Sequence, residues 1–414
     1  MTSSAFATNY YVATWGSDSN PGTSAAPWRT LQWAVDHIAA GDTILVASGS
    51  YVGCRITHSG AAGSPSTLKA DVGASVLVNA EPPTSTRHSF IEAYISTSQT
   101  VNYWVIDHLE VSGSGGYGVD LHFTSNITVQ NCYVHNSSIT GLYSSHGPYT
   151  SFLNNETSAN GEHGIYHCNS ADYPTIRGNL SHDNSKAGVH MNGDLSQGGN
   201  GLIYYPDIEK NAIYNNDPGN AASALNLGAV WYGTIFNNLC YNNHDRGISL
   251  YDSDGASGSS YNKVYCNTFV SPSDSNDIIV IPASSKKKPN PVGNLVKDNI
   301  LYTANTGAKS LRVYGSGALA TGGSDYNAVI DRFSINGGKN TINLTTWRTY
   351  GFDAHSFLST PTALFVDPAN NNYHLKSGSP AANAGTTLSE VTTDLLGVTR
   401  PQGSAYDIGC YEDW

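Results

Sequence analysis

Apolar and polar residues alternate in short segments that recur along the chain. The segments start at residues 118, 141, 164, 188, 224 and 247, and their intervals are 23 or 24 residues apart from one of 36. In each segment the second residue is aliphatic and the fourth is usually apolar, as a β-strand with one buried face requires. The longer interval contains an insertion around residues 193–205. The pattern predicts strands that stack on one another in register.

A second repeat consists of an aliphatic residue, two variable positions and an asparagine. Clear copies end at Asn179, Asn211, Asn238, Asn267 and Asn299, and looser copies end at Asn131, Asn154 and Asp107. Asparagine tolerates the left-handed backbone of a tight turn, and its amide can bond the same side chain in the next coil. Together the two repeats predict an all-β fold, a single-stranded right-handed parallel β-helix, or solenoid.

The two ends of the predicted solenoid have different patterns. Residues 28–40 carry apolar residues at helical spacing, and a glycine and an aspartate follow as a stop signal. We expect this helix to cover the open end of the core. The predicted organisation is one structural domain, with an N-terminal strand and capping helix in residues 1–55, coils in residues 56–355 and a C-terminal capping segment in residues 356–414.

Segments near both termini resemble a known family. Residues 10–23, 28–32 and 41–51 are similar to the N terminus of pectate-lyase-like β-helix repeat proteins, and residues 378–382 and 407–412 are similar to their C-terminal signature. The resemblance covers nearly the whole chain. It implies a carbohydrate-active protein, usually a secreted polysaccharide lyase or glycosidase, although one fold supports many activities.

Composition and charge narrow the possible partners. The net charge of -12 argues against nucleic acid, because nucleic-acid binding needs basic surfaces. No apolar run reaches the ~20 residues of a membrane span. The start, Met1-Thr2-Ser3-Ser4, lacks the basic and apolar regions of a signal peptide. Because the predicted substrate is extracellular, we still expect a secreted or extracytoplasmic protein, a monomer whose partner is a polysaccharide.

The outward-facing positions of the first repeat concentrate groups that bind sugars. The third and fifth residues of each segment point outward and stack at ~4.8 Å per coil. Tyrosine faces stack on sugar rings, whereas asparagine and histidine bond to hydroxyls. The predicted substrate-binding residues are Asp120, His122, Tyr143, Asn192, Asn226, Asp245 and Tyr251. His167, at an inward fourth position, is expected to be a core histidine.

The same surface contains groups suited to catalysis. The predicted catalytic residues are Glu162, His163, Tyr166, Lys186, His190, Asp194 and Arg246. In a polysaccharide lyase a base removes the proton α to a uronate carboxylate, an acid protonates the leaving oxygen, and a cation neutralises the carboxylate. Lys186 or His190 would be the base, and Tyr166 or His163 the acid. Arg246, an amide or Ca²⁺ would neutralise the carboxylate.

Other functions remain open at this point. A glycoside hydrolase would use two carboxyls, for which Glu162 and Asp194 are the candidates. A non-catalytic glycan-binding β-helix is a further alternative. Asp252 and Asp254 are candidate Ca²⁺ ligands, although a plain turn explains them as well. In the family-nine type of pectate lyase an aspartate cluster holds Ca²⁺ beside a catalytic lysine, and no such cluster accompanies Lys186.

Overall fold

Short parallel strands in three sheets form most of the structure, a computed structural model that describes residues 7–219, 222–285 and 288–413. The chain divides into two compact units, residues 1–167 and residues 168–414. In both units, successive strands join sheet one, sheet two and sheet three in turn, and three strands make one coil. The fold is a right-handed parallel β-helix, so the predicted fold class is confirmed. The start, Met1–Ser4, lies outside the described residues.

The first unit contains one helix, Leu31–His37, and the three sheets. Sheet one contains Asn9–Val12, Thr43–Val46, Ser66–Ala70, Val101–Asp107, Thr124–Gln130 and Ser151–Leu153. Sheet two contains Gly49–Val52, Val76–Ala80, Glu110–Ser112, Tyr133–His135 and Glu156–Ser158. Sheet three contains Cys54–Ile56, Ile91–Ala93, Val119–His122, Leu142–Ser145 and Ile165–Cys168, the last of which ends one residue past the unit.

The second unit repeats this arrangement. Sheet one contains Thr175–Arg177, Asp207–Glu209, Thr234–Phe236, Lys263–Tyr265, Asn294–Lys297 and Leu319–Asp325. Sheet two contains Leu180–His182, Ala212–Tyr214, Leu239–Tyr241, Thr268–Ser271, Ile300–Thr303, Ala328–Val329 and Phe357–Leu358. Sheet three contains Val189–Asn192, Leu225–Gly228, Ile248–Tyr251, Ile279–Ile281, Leu311–Val313 and Phe333–Ser334.

The second unit also contains two short strand pairs, short helices and 3-10 turns. Ile203–Tyr204 pairs in parallel with Val230–Trp231, and Phe365–Asp367 pairs antiparallel with Asn372–Leu375. The helices are Leu344–Arg348 and Pro361–Leu364, and the 3-10 turns are Leu195–Gln197, Ser316–Ala318 and Pro368–Asn370. Within the described part of the chain, no helix is long and apolar enough to cross a membrane.

The core is a stack of like residues, as the alternating pattern predicts. In sheet three of the second unit Val189, Leu225, Ile248 and Ile279 occupy successive coils in register, and all four are fully buried. Each such side chain stabilises the fold by roughly 1.5–3 kcal/mol relative to its exposed state. His167 is also fully buried, and its Nδ1 lies 2.6 Å from Ser144 Oγ, which confirms that it is a core histidine.

An asparagine ladder runs along the turn between sheet one and sheet two of the second unit. Each side chain donates from Nδ2 to Oδ1 of the next, and the ladder contains Asn179, Asn211, Asn238, Asn267, Asn299 and Asn327. A second ladder after sheet two, formed by Asn184, Asn216 and Asn243, is not apparent from the repeat. The predicted ladder is therefore confirmed.

The looser early copies of the repeat are wrong by one residue. Asn131 and Asn154 have left-handed backbones, with φ of 52° and 54°, and the ladder position follows them. There, Asn155 Oδ1 accepts the backbone N–H of Cys132 at 3.0 Å. The reason is that asparagine suits the left-handed turn position as well as the ladder position, so its presence alone cannot separate the two.

Apolar groups lie at both ends of the coils, and at the C-terminal end they come from residues before the predicted capping segment of residues 356–414. The helix Leu31–His37 begins at Thr30, whose side chain accepts the Trp33 N–H, and it buries Leu31, Ala34 and Val35. At the other end Trp347 stacks on Phe333 with ring centroids 5.1 Å apart, and its Nε1 donates to a carboxyl oxygen of Asp353. Both ends thus place apolar groups over the last core layer.

The last part of the chain also covers the flank of the coils of the second unit. Asn237 Nδ2 donates to Thr393 O at 2.8 Å, and Cys410 N donates to Thr268 Oγ1 at 3.0 Å. Thr386 N lies 3.0 Å from a carboxyl oxygen of Asp298. In each bond a side chain of the coils pairs with a backbone group of the segment, so the segment's polar backbone is satisfied where it lies against the coils.

Asp298 is expected to make stability depend on pH. Burial raises its pKa to about 7, against the opposing hydrogen bond from Thr386, whereas an unfolded aspartate titrates near pH 3.9. Between these values the native state holds one more proton than the unfolded state. Stability therefore falls as pH rises from about 4 to about 7, by up to about 1.4 kcal/mol per pH unit.

Urea unfolding between about pH 4 and pH 8 measures this effect. Asp298→Asn is expected to flatten the fall relative to the wild-type chain. Asp407 and Asp120, whose pKa values burial raises to about 6, act in the same direction and are present in both proteins. Identical pH profiles for the two proteins would show that Asp298 is not responsible.

Candidate functional site

The outward face of sheet three in the first unit carries a column of polar and aromatic residues. Arg55, Glu92, Asp120 and Tyr143 follow one another in register on adjacent strands. Tyr143 and Tyr166 form an edge-to-face pair with ring centroids 5.5 Å apart, and His163 lies 5.4 Å from Tyr166. The predicted third-position column thus exists in this unit.

Asp120 in this column and His122, two residues further along the same strand, are electrostatically unusual. Asp120 is fully buried beneath Arg87, and burial raises its pKa to about 6 against the attraction of that guanidinium. Burial, with repulsion from Arg87 and His146, lowers the pKa of His122 to about 4, so its ring is neutral near pH 7. Arg87 therefore separates Asp120 from solvent. Sequence reasoning missed Arg87 because this residue lies in an insertion outside the repeats.

Glu162 and His163 lie just before the strand Ile165–Cys168. Glu162 is half-buried and its backbone N–H donates to Ile139 O, whereas the His163 side chain is buried. In the second unit Lys186 is half-buried in the turn that precedes Val189–Asn192.

In the second unit the predicted residues of sheet three form a connected group. His190, Asn226 and Ser249 stack in register, as do Asn192, Gly228 and Tyr251. His190 Nδ1 lies 2.9 Å from Asn226 O, and Asn226 Nδ2 donates to Tyr251 Oη at 2.9 Å. The same Nδ1 also lies 3.0 Å from Asn226 Nδ2, so Asn226 fixes the position of the imidazole ring through two contacts.

A cavity of about 350 Å³ adjoins this group. It is lined by Asn226, Arg246, Ser249, Tyr251, Val280, Pro282 and Arg312. The two guanidinium groups are each held by a buried aspartate. Such preoriented guanidinium groups bind carboxylates well, because less side-chain freedom is lost on binding.

Each aspartate has its own contacts. Asp245 Oδ2 accepts from Arg246 Nη1 at 2.7 Å, and its other oxygen accepts from Asn276. Asp277 Oδ2 lies 3.1 Å from Arg312 Nε. Asp245 is buried, so its position suits holding Arg246 rather than contacting sugar. Arg312 was missed because it lies beyond the six segments in which the repeat is clear.

A second cavity, of about 340 Å³, lies among three loops that leave the coils after sheet three. In the described residues of these loops, 193–202, 252–259, 282–285 and 288–293, the middle loop bonds through its backbone to the other two: Leu195 N to Asp254 O, Ala256 N to Gly201 O, and Gly258 N to Pro289 O. Asp194 lies here, where its carboxylate accepts the N–H and hydroxyl of Ser196.

The same loops contain the candidate Ca²⁺ ligands. Asp252 Oδ2 accepts from Ser285 N at 2.7 Å and Ser285 Oγ at 3.0 Å, and Asp254 Oδ2 accepts from Asn192 Nδ2 at 3.1 Å. Across the described residues, no three His, Cys, Asp or Glu side chains are grouped as a metal site requires. Ca²⁺ takes about six to eight oxygen ligands, so these residues do not fit it.

Gly228 leaves room for Tyr251. A Cβ at this position would lie 3.2 Å from Tyr251 Cζ and 3.4 Å from Asn192 Oδ1. Oδ1 of Asn192 is buried and has no hydrogen-bond partner among the described residues. Glycine within a strand weakens the strand, and it often marks a place where another group approaches closely. Here it allows the tyrosine ring to reach Asn226.

Gly228→Ala is therefore expected to reduce turnover. The added methyl group would move the Tyr251 ring by a few tenths of an ångström, and we expect kcat/KM to fall by about tenfold because the hydroxyl is misplaced. Thermal unfolding should change little. Gly219→Ala, at a glycine whose Cβ would meet nothing within 4 Å, is the matched control. Full activity of Gly228→Ala would contradict the substrate-binding role that the sequence predicts for Tyr251.

Comparison with known proteins agrees with this architecture. The family model described as Pel9A-like, right-handed β-helix region matches residues 10–172. A curated relative, pectate lyase PEL9 of Emericella nidulans, is 34% identical over 142 residues. That match covers 31% of this chain and 34% of the relative, so the chain spans about a third of the relative's length.

Solved structures show the fold along the whole chain. The crystal structure of pectate lyase Pel9A has a TM-score of 0.67 at 17% identity and covers 99% of this chain and 97% of its own. A rhamnogalacturonan lyase has a TM-score of 0.54 at 16% identity and covers 95% of this chain and 99% of its own. With the sequence match in residues 10–172, these likenesses confirm the resemblance inferred from the terminal segments: residues 10–172 are similar to the Pel9A-like β-helix region, and the chain has the right-handed parallel β-helix fold.

Proposed function

We propose that the protein is a secreted polysaccharide lyase that cleaves a uronate-containing glycan by β-elimination. The observation that supports this most is the cavity between Arg246 and Arg312, beside the chain of hydrogen bonds from His190 through Asn226 to Tyr251. Two fixed guanidinium groups match the carboxylate of a uronate. The pectate-lyase-like fold and the lyases among similar proteins agree with this assignment.

His190 is the proposed base. Its Nε2 lone pair removes the proton α to the uronate carboxylate. The electron pair that is released moves toward the carboxylate, where Arg246 and Arg312 stabilise the growing negative charge. The two buried aspartates keep these arginines in place, Asp245 through Nη1 of Arg246 and Asp277 through Nε of Arg312. Lys186 remains an alternative base.

Tyr251 is the proposed acid. Burial raises the pKa of its hydroxyl, so the group keeps its proton at neutral pH. Asn226 Nδ2 donates to Tyr251 Oη, which leaves the tyrosine O–H as a donor for the leaving oxygen. As the C–O bond breaks, the carbon–carbon double bond forms and the leaving oxygen takes this proton. His190 then returns its proton to solvent, and Tyr251 regains a proton from solvent. Tyr166 and His163 remain alternative acids.

A panel of acidic and neutral polysaccharides tests the proposal. A lyase produces an unsaturated sugar that absorbs in the ultraviolet, together with one new reducing end for each cut. Reducing ends without this absorbance would identify the protein as a hydrolase and contradict the lyase assignment. If no polysaccharide of a broad panel gives either signal, the result would favour a protein that binds glycans without cleaving them.

A glycoside hydrolase is the second candidate, because two carboxylates, Asp194 and Asp254, line one cavity. A hydrolase needs a carboxylic acid and a carboxylate on either side of the bond. Glu162, predicted from sequence, is the other carboxyl to test. Under this candidate, Glu162→Gln or Asp194→Asn should abolish release of reducing ends while thermal unfolding stays nearly unchanged.

A further inference from the structure

In the first unit, a loop that includes residues 84–87 lies over the outward column of sheet three. Residues of that column hold the loop through hydrogen bonds. Glu92 is fully buried, and it accepts from Ser85 Oγ at 3.1 Å and from Thr86 N at 2.9 Å. Arg55 Nη1 donates to Thr84 O at 3.3 Å. These contacts hold residues 84–86 in place, and the next residue, Arg87, extends from this anchored segment.

Arg87 is held on three sides. Its Nε is ion-paired with Oδ2 of the buried Asp120. The guanidinium carbon lies 5.0 Å from the ring centroid of Tyr117 and 5.3 Å from that of Tyr143. Both distances are within the range of cation–π contacts. The side chain is therefore fixed before any ligand arrives.

The other donors of Arg87 face outward. The side chain is 29% exposed, and among the described residues no protein acceptor bonds to either of its Nη atoms. A guanidinium presents its N–H groups as a planar fork that matches the paired oxygens of a carboxylate or sulfate. The half-exposed Tyr117 and Tyr166 supply aromatic surface beside it.

We propose that Arg87, with Tyr117 and Tyr143, forms a subsite for an acidic glycosyl unit, whose carboxylate or sulfate binds the Nη groups. The subsite belongs to the first unit and contains none of the residues to which base, acid or neutralising roles were given above. It depends on the proposed function only in taking a polysaccharide as the ligand. Because the protein carries a net charge of -12, an acidic polymer gains little from overall attraction and needs such local cations.

Affinity electrophoresis of the full-length chain in a His190→Ala background tests the subsite without turnover. The probes are polygalacturonate, which carries carboxylates, dextran sulfate, which carries sulfates, and neutral dextran. We expect retardation by at least one acidic polymer and none by dextran. Arg87→Gln should weaken that binding by about tenfold. Arg177→Gln, which changes a more exposed arginine on sheet one of the second unit, should bind as the parent does.

Removal of Arg87 alone leaves the buried Asp120 without its partner, so a double variant keeps the test informative. Arg87→Gln with Asp120→Asn removes both charges and is expected to fold and to lose the same binding. Parental affinity in this folded double variant, or equal binding of neutral dextran, would overturn the proposal. Parental affinity in the double variant, together with cleavage by the chain that keeps His190, would mean that the subsite fails while the proposed function stands.

Discussion

His190→Ala is expected to lower kcat by about 10²- to 10⁴-fold, the range in which a general base contributes. The side chain lies on the outward face of sheet three, where its Nδ1 is fixed by Asn226 O. Alanine removes the base and leaves the core stacks intact, so the midpoint of thermal unfolding should stay nearly unchanged. Initial rates on a cleaved polysaccharide and calorimetry of the same samples measure both effects.

His182→Ala is the matched control for this prediction. His182 is the last residue of a strand of sheet two, where its ring stacks on Tyr214 with centroids 4.7 Å apart. It has no part in the proposed chemistry. Its loss should leave kcat near the wild-type value. Full activity of His190→Ala would place the base elsewhere, with Lys186 as the next candidate.

Asn267→Ala is expected to destabilise the second unit by about 3 kcal/mol, because it leaves several buried groups without partners. Asn267 is fully buried, and its Nδ2 donates to Ile235 O, Tyr265 O and Asn299 Oδ1. Its Oδ1 accepts both the backbone and the side-chain N–H of Asn238. The thermal midpoint of a chain of this size should fall by about 3 to 4 °C.

Urea unfolding followed by circular dichroism gives the free energy directly. Asn340→Ala, at an exposed position near the end of the coils, is the control and should lie within about 0.5 kcal/mol of the parent. If both variants unfold alike, the ladder does not carry the stability assigned to it here.

Sequence predicted the stacking better than the chemistry. Strand alternation has a period of two, so it correctly placed His190 over Asn226 and Asp120 beneath Tyr143. It could not show that Asp120 is covered, because the covering group, Arg87, comes from an insertion with no repeat. The same limit applies to Asp245, whose burial depends on the neighbouring Arg246 and Asn276.

The ladder shows a second limit. Asn179 and later copies were placed correctly because each follows a recognisable turn, whereas Asn131 and Asn154 were shifted by one position. Two environments in the same turn favour the same residue type, and only hydrogen-bond partners distinguish them. Arg312 lay outside the clear repeats and became visible only through its contact with Asp277.

The three linked loops after sheet three have a consequence for altering this protein. Residues 252–259 bond through their backbones both to residues 193–202 and to residues 288–293, and these three segments lie outside the strands of the coils. The three loops therefore form one unit for exchange between related scaffolds. Replacing one loop alone would break its backbone bonds to its partner loop, so graft designs should transfer all three together.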